Sequence, residues 1–145
     1  MNACPSPSKF KARIALLRPP LAPMDLAMPA AAALLAVYAV QGTLPAILPF
    51  LIASLGAYCA ITSSYVYNDC CDIDVDSVGM PDRPLPSAQL SKRDAELWAL
   101  LLFLVAAAVA LYLNPESFAV LVLATVLITI YSKWAKRNTP FSWVF

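Results

Sequence analysis

The chain has 145 residues, of which 61% are apolar and 13% charged, with a net charge of +1 and a mean hydropathy of +0.70. A soluble domain is about 45–50% apolar and about 25% charged, so these values exclude a disordered chain, a nucleic-acid binder and an ordinary soluble domain, and they point to a multi-pass membrane protein. The absence of His excludes His-based acid–base chemistry and most zinc sites, and three Gly against 13 Pro cannot build a glycine-rich phosphate loop.

Residues 1–20, rich in Pro, Lys and Arg, read as a loosely ordered cytoplasmic basic arm that can touch anionic lipid heads. A secretory signal is disfavoured, because the apolar stretch that follows holds Asp25 and Pro29 and leads straight into another span. A bilayer takes about 20 apolar residues to cross. Four stretches are candidate spans: about Met24–Val40, Leu44–Val66, Leu97–Leu113 and Phe118–Ser132. Gln41-Gly42-Thr43, with Pro45 behind it, joins the first two as a tight helical hairpin. Asn114-Pro115-Glu116-Ser117 separates the last two, and Ser117 with Pro115 nearby suits a helix start. The fourth stretch is rich in Val, Leu, Ile and Thr, a strand composition in water, but its length and lack of charge favour helix in a membrane. The expected fold is therefore all-α, a bundle of about four transmembrane helices.

Charge placement gives the orientation. All ten Lys and Arg fall before the first span (Lys9, Lys11, Arg13, Arg18), between the second and third (Arg83, Lys92, Arg93), or after the fourth (Lys133, Lys136, Arg137). With four spans these places share one side, which the positive-inside rule makes cytoplasmic. Cys4, Cys59, Cys70 and Cys71 form no CxxC pair, and adjacent cysteines are poor disulfide partners; reduced, inert thiols are expected. Tyr67, Trp98, Tyr131 and Trp134 lie near helix ends, where an aromatic belt accounts for them.

The segment that carries chemistry is Asn68-Asp69-Cys70-Cys71-Asp72-Ile73-Asp74-Val75-Asp76, with four carboxylates at the cytoplasmic end of the second span. At about 100° per residue, Asn68, Asp69, Asp72 and Asp76 share one helix face about 100° wide, and Asp74 lies opposite. Like charges gathered this closely suit Mg²⁺, a hard cation that binds through carboxylates and substrate phosphates. A solvated acidic loop is the alternative from spacing alone, while an EF-hand calcium loop lacks its Gly and closing Glu. Downstream, prolines flank Arg83 in Pro81-Asp82-Arg83-Pro84-Leu85-Pro86-Ser87. An arginine stiffened there either pairs a carboxylate or grips a phosphate. Asp25 is either a cavity-facing acid or an interfacial cap.

At these residues the chain resembles the UbiA superfamily of intramembrane prenyltransferases. That family carries N-D-x-x-D-x-x-x-D after its second helix, and Asn68, Asp69, Asp72 and Asp76 fill each fixed position. An R-P-L-P-S-G-x-I-S-like stretch follows in the family and reads Arg83-Pro84-Leu85-Pro86-Ser87-Ala88-Gln89-Leu90-Ser91 here, with Ala for the usual Gly. Tyr131-Ser132 with Lys136-Arg137 is similar to the end of the family's fourth helix. The likeness covers the chain from Arg18 onward.

The resemblance implies an integral membrane enzyme that moves an isoprenyl group from an isoprenyl diphosphate to an aromatic or lipid acceptor. It implies Mg²⁺ held by Asn68, Asp69, Asp72 and Asp76, with Asp69, Asp72 and Asp76 catalytic and Asn68, Arg83, Lys136 and Arg137 toward the diphosphate. The R-P-L-P-S stretch leans toward the branch with chlorophyll and archaeal-lipid synthases. The family has about nine helices in two similar halves, the second with a D-x-x-x-D motif. The remaining acids here, Asp25, Asp82, Asp94, Glu96 and Glu116, form no such pair. The expectation is thus a basic arm (1–20) and the N-terminal half of a prenyltransferase domain (21–145), truncated before a fifth helix and completed by a C-terminal half or second subunit. The alternative is a non-catalytic small membrane protein or pseudoenzyme that binds prenyl diphosphate or pairs with a separate half. A CDP-alcohol phosphotransferase is excluded by the lack of D-G-x-x-A-R.

Overall fold

A computed structural model describes residues 9–135, and among these the chain is helical with no strand. Helix α1 (Lys9–Leu16) is followed by a 3₁₀ turn (Pro19–Leu21) and α2 (Ala22–Gln41). Then come α3 (Ile47–Cys71), the short α4 (Ile73–Gly79), α5 (Lys92–Leu113) and α6 (Pro115–Ile130), which runs into a π turn at Tyr131–Ala135. Four helical stretches are long and apolar enough to cross a membrane: Lys9–Gln41, Ile47–Cys71, Lys92–Leu113 and Pro115–Trp134.

The four expected spans are present, each extended at one or both ends, but the second starts at Ile47 and not at Leu44, because Ala46, just after Pro45, is extended (ψ 137°). Hydropathy finds only the apolar middle of a helix, whereas capping and polar turns carry it further. Ser91 caps α5 by accepting the Asp94 N–H at 3.1 Å, so the helix begins five residues before Leu97. The expected start of α6 at Ser117 is corrected: Asn114 is the cap, accepting the Ser117 N–H at 2.6 Å, and Pro115 takes the first helical position. At the α2–α3 connection Gly42 closes α2 with φ 68°, and its N–H donates to the Tyr38 carbonyl.

The basic arm is not loose over its described part. Ala12 and Leu16, one helical turn apart, are 1% and 2% exposed and pack with Val66, Cys70, Leu85, Leu90 and Ala95. This cluster ties α1 and the 80–91 loop to the ends of α3 and α5. Burying Leu16 alone stabilises by about 1.5–3 kcal/mol, enough to order a basic segment that composition reads as solvated. Lys9 adds an exposed, solvent-screened ion pair to Asp94 at 3.3 Å.

The central pair is α3 against α5, with α2 flanking α3 and α6 on α5. Small residues set its spacing. On α5, Ala95, Ala99, Ala106, Ala107 and Ala110 are buried, and on α3 a Cβ at Gly56 would lie 2.5 Å from Val109 Cγ1. Ser63 Oγ donates across the interface to the Ala99 carbonyl at 2.9 Å. In lipid, such close backbone approach and interhelical hydrogen bonding replace the hydrophobic drive that water would supply. Aliphatic side chains such as Leu35, Val40 and Leu111 face outward.

Candidate functional site

The acidic motif sits where α3 stops. The helix breaks at Asp72 (φ −103°, ψ 11°), and α4 follows directly: the Asp72 N–H donates to the Asn68 carbonyl at 3.0 Å and the Asp76 N–H to the Asp72 carbonyl at 2.8 Å. The expected single helix is thus two helices, yet i→i+4 spacing survives the break. Asp69 and Asp72 are buried, Asp76 is half-buried, and Asp74 is exposed, the sidedness expected from the spacing.

Two guanidinium groups meet Asp69. Arg18 Nη2 donates to Asp69 Oδ1 at 2.7 Å, and Arg83 Nη1 reaches the same oxygen at 3.4 Å. Arg83 Nη1 also donates to Asp76 Oδ2 at 2.7 Å, so one arginine bridges two carboxylates. The Asp69 side chain is only 5% exposed; a charge buried this far must be paired to be tolerated. Of the two uses expected for Arg83, the described geometry displays carboxylate pairing.

Local structure aims each arginine. Arg18 precedes Pro19-Pro20 and has φ 51°, ψ 62°. A residue before proline is pushed out of the right-handed helical region, and the left-handed one costs roughly 1–2 kcal/mol. The resulting bend ends α1 and turns the side chain toward Asp69. It also brings Arg18 Cζ to 4.9 Å from the Tyr65 ring centroid, a cation–π contact. Arg83 lies in a tight loop in which its carbonyl accepts from both the N–H (3.0 Å) and Oγ (2.6 Å) of Ser87. Ala88, where the related motif has Gly, sits at φ 57°, the left-handed region that favours glycine.

Asn68 joins the acidic motif to the last helix. Its Nδ2 donates to Asp72 Oδ2 at 2.8 Å, and its Oδ1 accepts from Ser132 Oγ at 3.2 Å. Ser132 is 1% exposed in the π turn, the kind of widened turn frequent at functional sites. Beyond Arg18, Tyr65 donates its hydroxyl to Asp25 Oδ1 at 2.8 Å; Asp25 is 4% exposed, and its Oδ2 is buried without a partner. The cap position of α2 is Leu21, and Asp25 stands inside the first turn of the helix.

Asn68, Asp69, Asp72, Asp76 and Arg83 are therefore brought together, while Lys136 and Arg137 lie outside the described residues. Sequence reasoning gave no site role to Arg18, assigned to the arm, to Tyr65, or to Ser132, which it quoted only within the Tyr131-Ser132 motif. For Arg18 the available signal was Arg18-Pro19-Pro20, an arginine on a stiff turn like that at Arg83. Lys133 Nζ stands 5.9 Å from the Tyr67 ring centroid, which fits an interfacial pair as well as a ligand contact. Cys59 and Cys70 are buried, and no disulfide occurs among the described residues.

Beside the motif, α3, α5 and α6 enclose an open cavity of about 500 Å³ lined by Ser63, Tyr67, Glu96, Ala99, Phe103 and Thr125, among others. Tyr67 and Glu96 are at its polar end, and most of the remaining wall is apolar. A volume of roughly 300–1,000 Å³ suits an organic ligand.

The donor chemistry of Asn68, Asp69, Asp72 and Asp76 fits a hard divalent cation, since every ligand atom is oxygen. As described, no three acids, cysteines or histidines are grouped closely enough to hold a metal; the guanidinium groups carry the positive charge among Asp69 and Asp76 instead.

Comparison with known proteins shows which family the chain resembles. The sequence profile of the UbiA prenyltransferase family matches residues 26–145. A digeranylgeranylglyceryl phosphate synthase of Methanopyrus kandleri is 41% identical over 73 residues, 50% of this chain and 27% of that protein. The synthase of that name from Thermococcus gammatolerans is 36% identical over 95 residues, covering 66% and 33%. A protoheme IX farnesyltransferase of Korarchaeum cryptofilum is 36% identical over 90 residues, covering 59% and 30%. A solved structure described as giving structural and mechanistic insights into digeranylgeranylglyceryl phosphate synthase in membranes superposes with a TM-score of 0.78 at 21% identity, over 92% of this chain and 47% of that one. The matched stretches thus span about a third of the curated relatives and about half of the solved chain.

Proposed function

The chain belongs to the UbiA prenyltransferase family, and from that membership we propose that it binds an isoprenyl diphosphate at Asn68, Asp69, Asp72, Asp76 and Arg83 for transfer of the isoprenyl group to an aromatic or lipid acceptor in the membrane. The observation that supports this reading is the gathering of Asp69, Asp76, Arg18 and Arg83 at the end of α3, the helix whose Ser63 and Tyr67 line an apolar cavity. It is an integral membrane protein by its four apolar helices and its family. By the positive-inside rule, its basic segment and acidic motif face the cytoplasm.

Asp69, Asp72 and Asp76, which are not gathered into a three-carboxylate cage, would supply one or two carboxylates to Mg²⁺ alongside diphosphate oxygens, with Asn68 orienting Asp72 through their 2.8 Å bond. When bound, the ion supplies Lewis-acid neutralisation of diphosphate charge. Arg83 and Arg18 turn positive charge toward the oxygens on which negative charge develops as the allylic C–O bond breaks and its electron pair leaves with the diphosphate. The apolar cavity takes the isoprenyl chain and keeps water from the allylic carbon. The acceptor then bonds to that carbon and loses a proton. Lys136 and Arg137 are assigned to the diphosphate on motif similarity alone. The relatives extend beyond the matched stretch, and a C-terminal half or a second subunit would complete the site.

The test is membranes bearing the chain, incubated with tritiated geranylgeranyl diphosphate and a lipid extract. Mg²⁺-dependent label in a new lipid, absent with Asp72→Ala, supports transfer. Label retained by the protein with no product moves the chain to the non-catalytic binder. Neither retention nor product overturns the reading.

A further inference from the structure

Of the acids buried among the described residues, Asp25, Asp69 and Asp72, Asp25 alone has no part in the transfer set out above. It stands in the first turn of α2, within a membrane span, where an ionisable side chain is costly and marks a polar function. Tyr65 donates to Oδ1 at 2.8 Å, and Oδ2 is buried with no partner. Arg18, whose Cζ is 4.9 Å from the Tyr65 ring centroid, bonds Asp69 instead. A half-bonded buried carboxylate weakens the fold, so packing does not account for it.

Tyr65 and Asp69 are i and i+4 on α3, so they share a face, with Tyr65 about 6 Å further from the acidic end. Tyr65 is half-buried, and Asp25 is closed behind it. The isoprenyl chain is assigned to the cavity between α3, α5 and α6, whereas Tyr65 reaches α2 through its bond to Asp25. That leaves the Tyr65 side for the acceptor.

We propose that Tyr65 and Asp25 are the proton-accepting pair of the transfer: Tyr65 meets the acceptor's hydroxyl, and Asp25 takes the proton behind it. This rests on the reading of the acidic face as the diphosphate site. A Tyr hydroxyl that donates to a carboxylate keeps its oxygen lone pairs for an incoming donor. As the acceptor oxygen bonds to the allylic carbon, its proton passes to Tyr65 Oη, and the Tyr65 proton passes to Asp25 Oδ1. The electron pair of the broken C–O bond leaves with the diphosphate. Asp25 ends as a carboxylic acid, and the proton returns by the same path to water once the product has left. Among the described residues, Tyr58, two turns earlier on α3, and Arg18 are the other titratable groups that act on this pair. Asp25 is thus a positioning and proton-holding residue, and Tyr65 is the one that touches substrate.

The experiment uses membranes bearing the full chain, tritiated geranylgeranyl diphosphate and a lipid extract, and it reads donor retention and labelled product separately. Asp25→Asn keeps the side-chain shape and an oxygen for Tyr65 but cannot take a proton. The expected result is a kcat lower by about 10²–10⁴-fold, with donor KM and retention within about twofold of the wild type. Tyr65→Phe should fall in the same range, and the double variant no lower than either single, as for residues that act as a unit. Asp25→Glu should recover part of the loss. The wild-type product should carry the label on oxygen, as an alkali-stable ether. Turnover by Asp25→Asn at the wild-type rate overturns the proposal. So does a parallel fall of retention and product in Asp25→Asn and Asp25→Glu, the mark of a structural role. Label on carbon, or donor retained by the wild type with no product, also overturns it and leaves donor binding standing. No donor retention by the wild type overturns the diphosphate reading as well.

Discussion

Arg18 and Asp69, 51 residues apart, are joined by a 2.7 Å bond between guanidinium and buried carboxylate. The bond fastens the start of the first span to the end of the second and makes the acidic motif part of the packed bundle. Arg18→Gln leaves Asp69 with only the longer contact from Arg83. The expected loss is about 1–3 kcal/mol, the cost of weakening the pairing of a buried charge, read as a lower unfolding temperature in detergent. Arg18→Lys should recover only part of it, since an ammonium lacks the planar fork that lies over Tyr65.

Ala88→Gly should stabilise the 80–91 loop. Ala88 holds φ 57°, a conformation that costs an L-residue roughly 1–2 kcal/mol and glycine almost nothing. After the greater chain entropy of glycine, a net gain of a few tenths to about 1 kcal/mol is expected. Thermal unfolding checks it, and Ala88→Val should move the midpoint the other way.

How much of this was legible before the structure depends on sequence distance. The four spans and helical class follow from runs of apolar residues, which are local. The shared face of Asn68, Asp69, Asp72 and Asp76 follows from helical spacing, also local, and the Asn68–Asp72 bond is an i→i+4 contact that crosses the break at Asp72. Arg18 on Asp69, Tyr65 on Asp25 and Ser132 on Asn68 join positions 51, 40 and 64 residues apart. No periodicity reports such contacts. The α1 packing was half visible, in Ala12 and Leu16 one turn apart, but the surrounding Lys and Arg read more loudly as a solvated arm.

Gly56→Ala should separate the central helix pair. The added Cβ would meet Val109 Cγ1 at 2.5 Å and Cβ at 2.9 Å, and overpacking of this kind costs about 1–3 kcal/mol. Val109→Ala in the same chain should restore most of the loss. A double-mutant cycle on unfolding temperature reads the coupling, and additive effects would refute the contact as the cause.

Tyr65→Phe removes the donor to Asp25 Oδ1 and leaves a buried carboxyl with neither oxygen bonded. A destabilisation of about 1–3 kcal/mol is expected. Asp25→Leu should suppress it, because the group left unsatisfied is then gone.

The central claim is that the carboxylate face binds an isoprenyl diphosphate with a divalent cation, and retention of labelled geranylgeranyl diphosphate by the purified chain tests it most directly. The account predicts retention with Mg²⁺, loss in EDTA, and a drop of at least about tenfold, or about 1.4 kcal/mol, in D72N and D76N, each of which removes a carboxylate ligand of the metal. Equal retention by the wild-type and variant chains, with or without the metal, would contradict it.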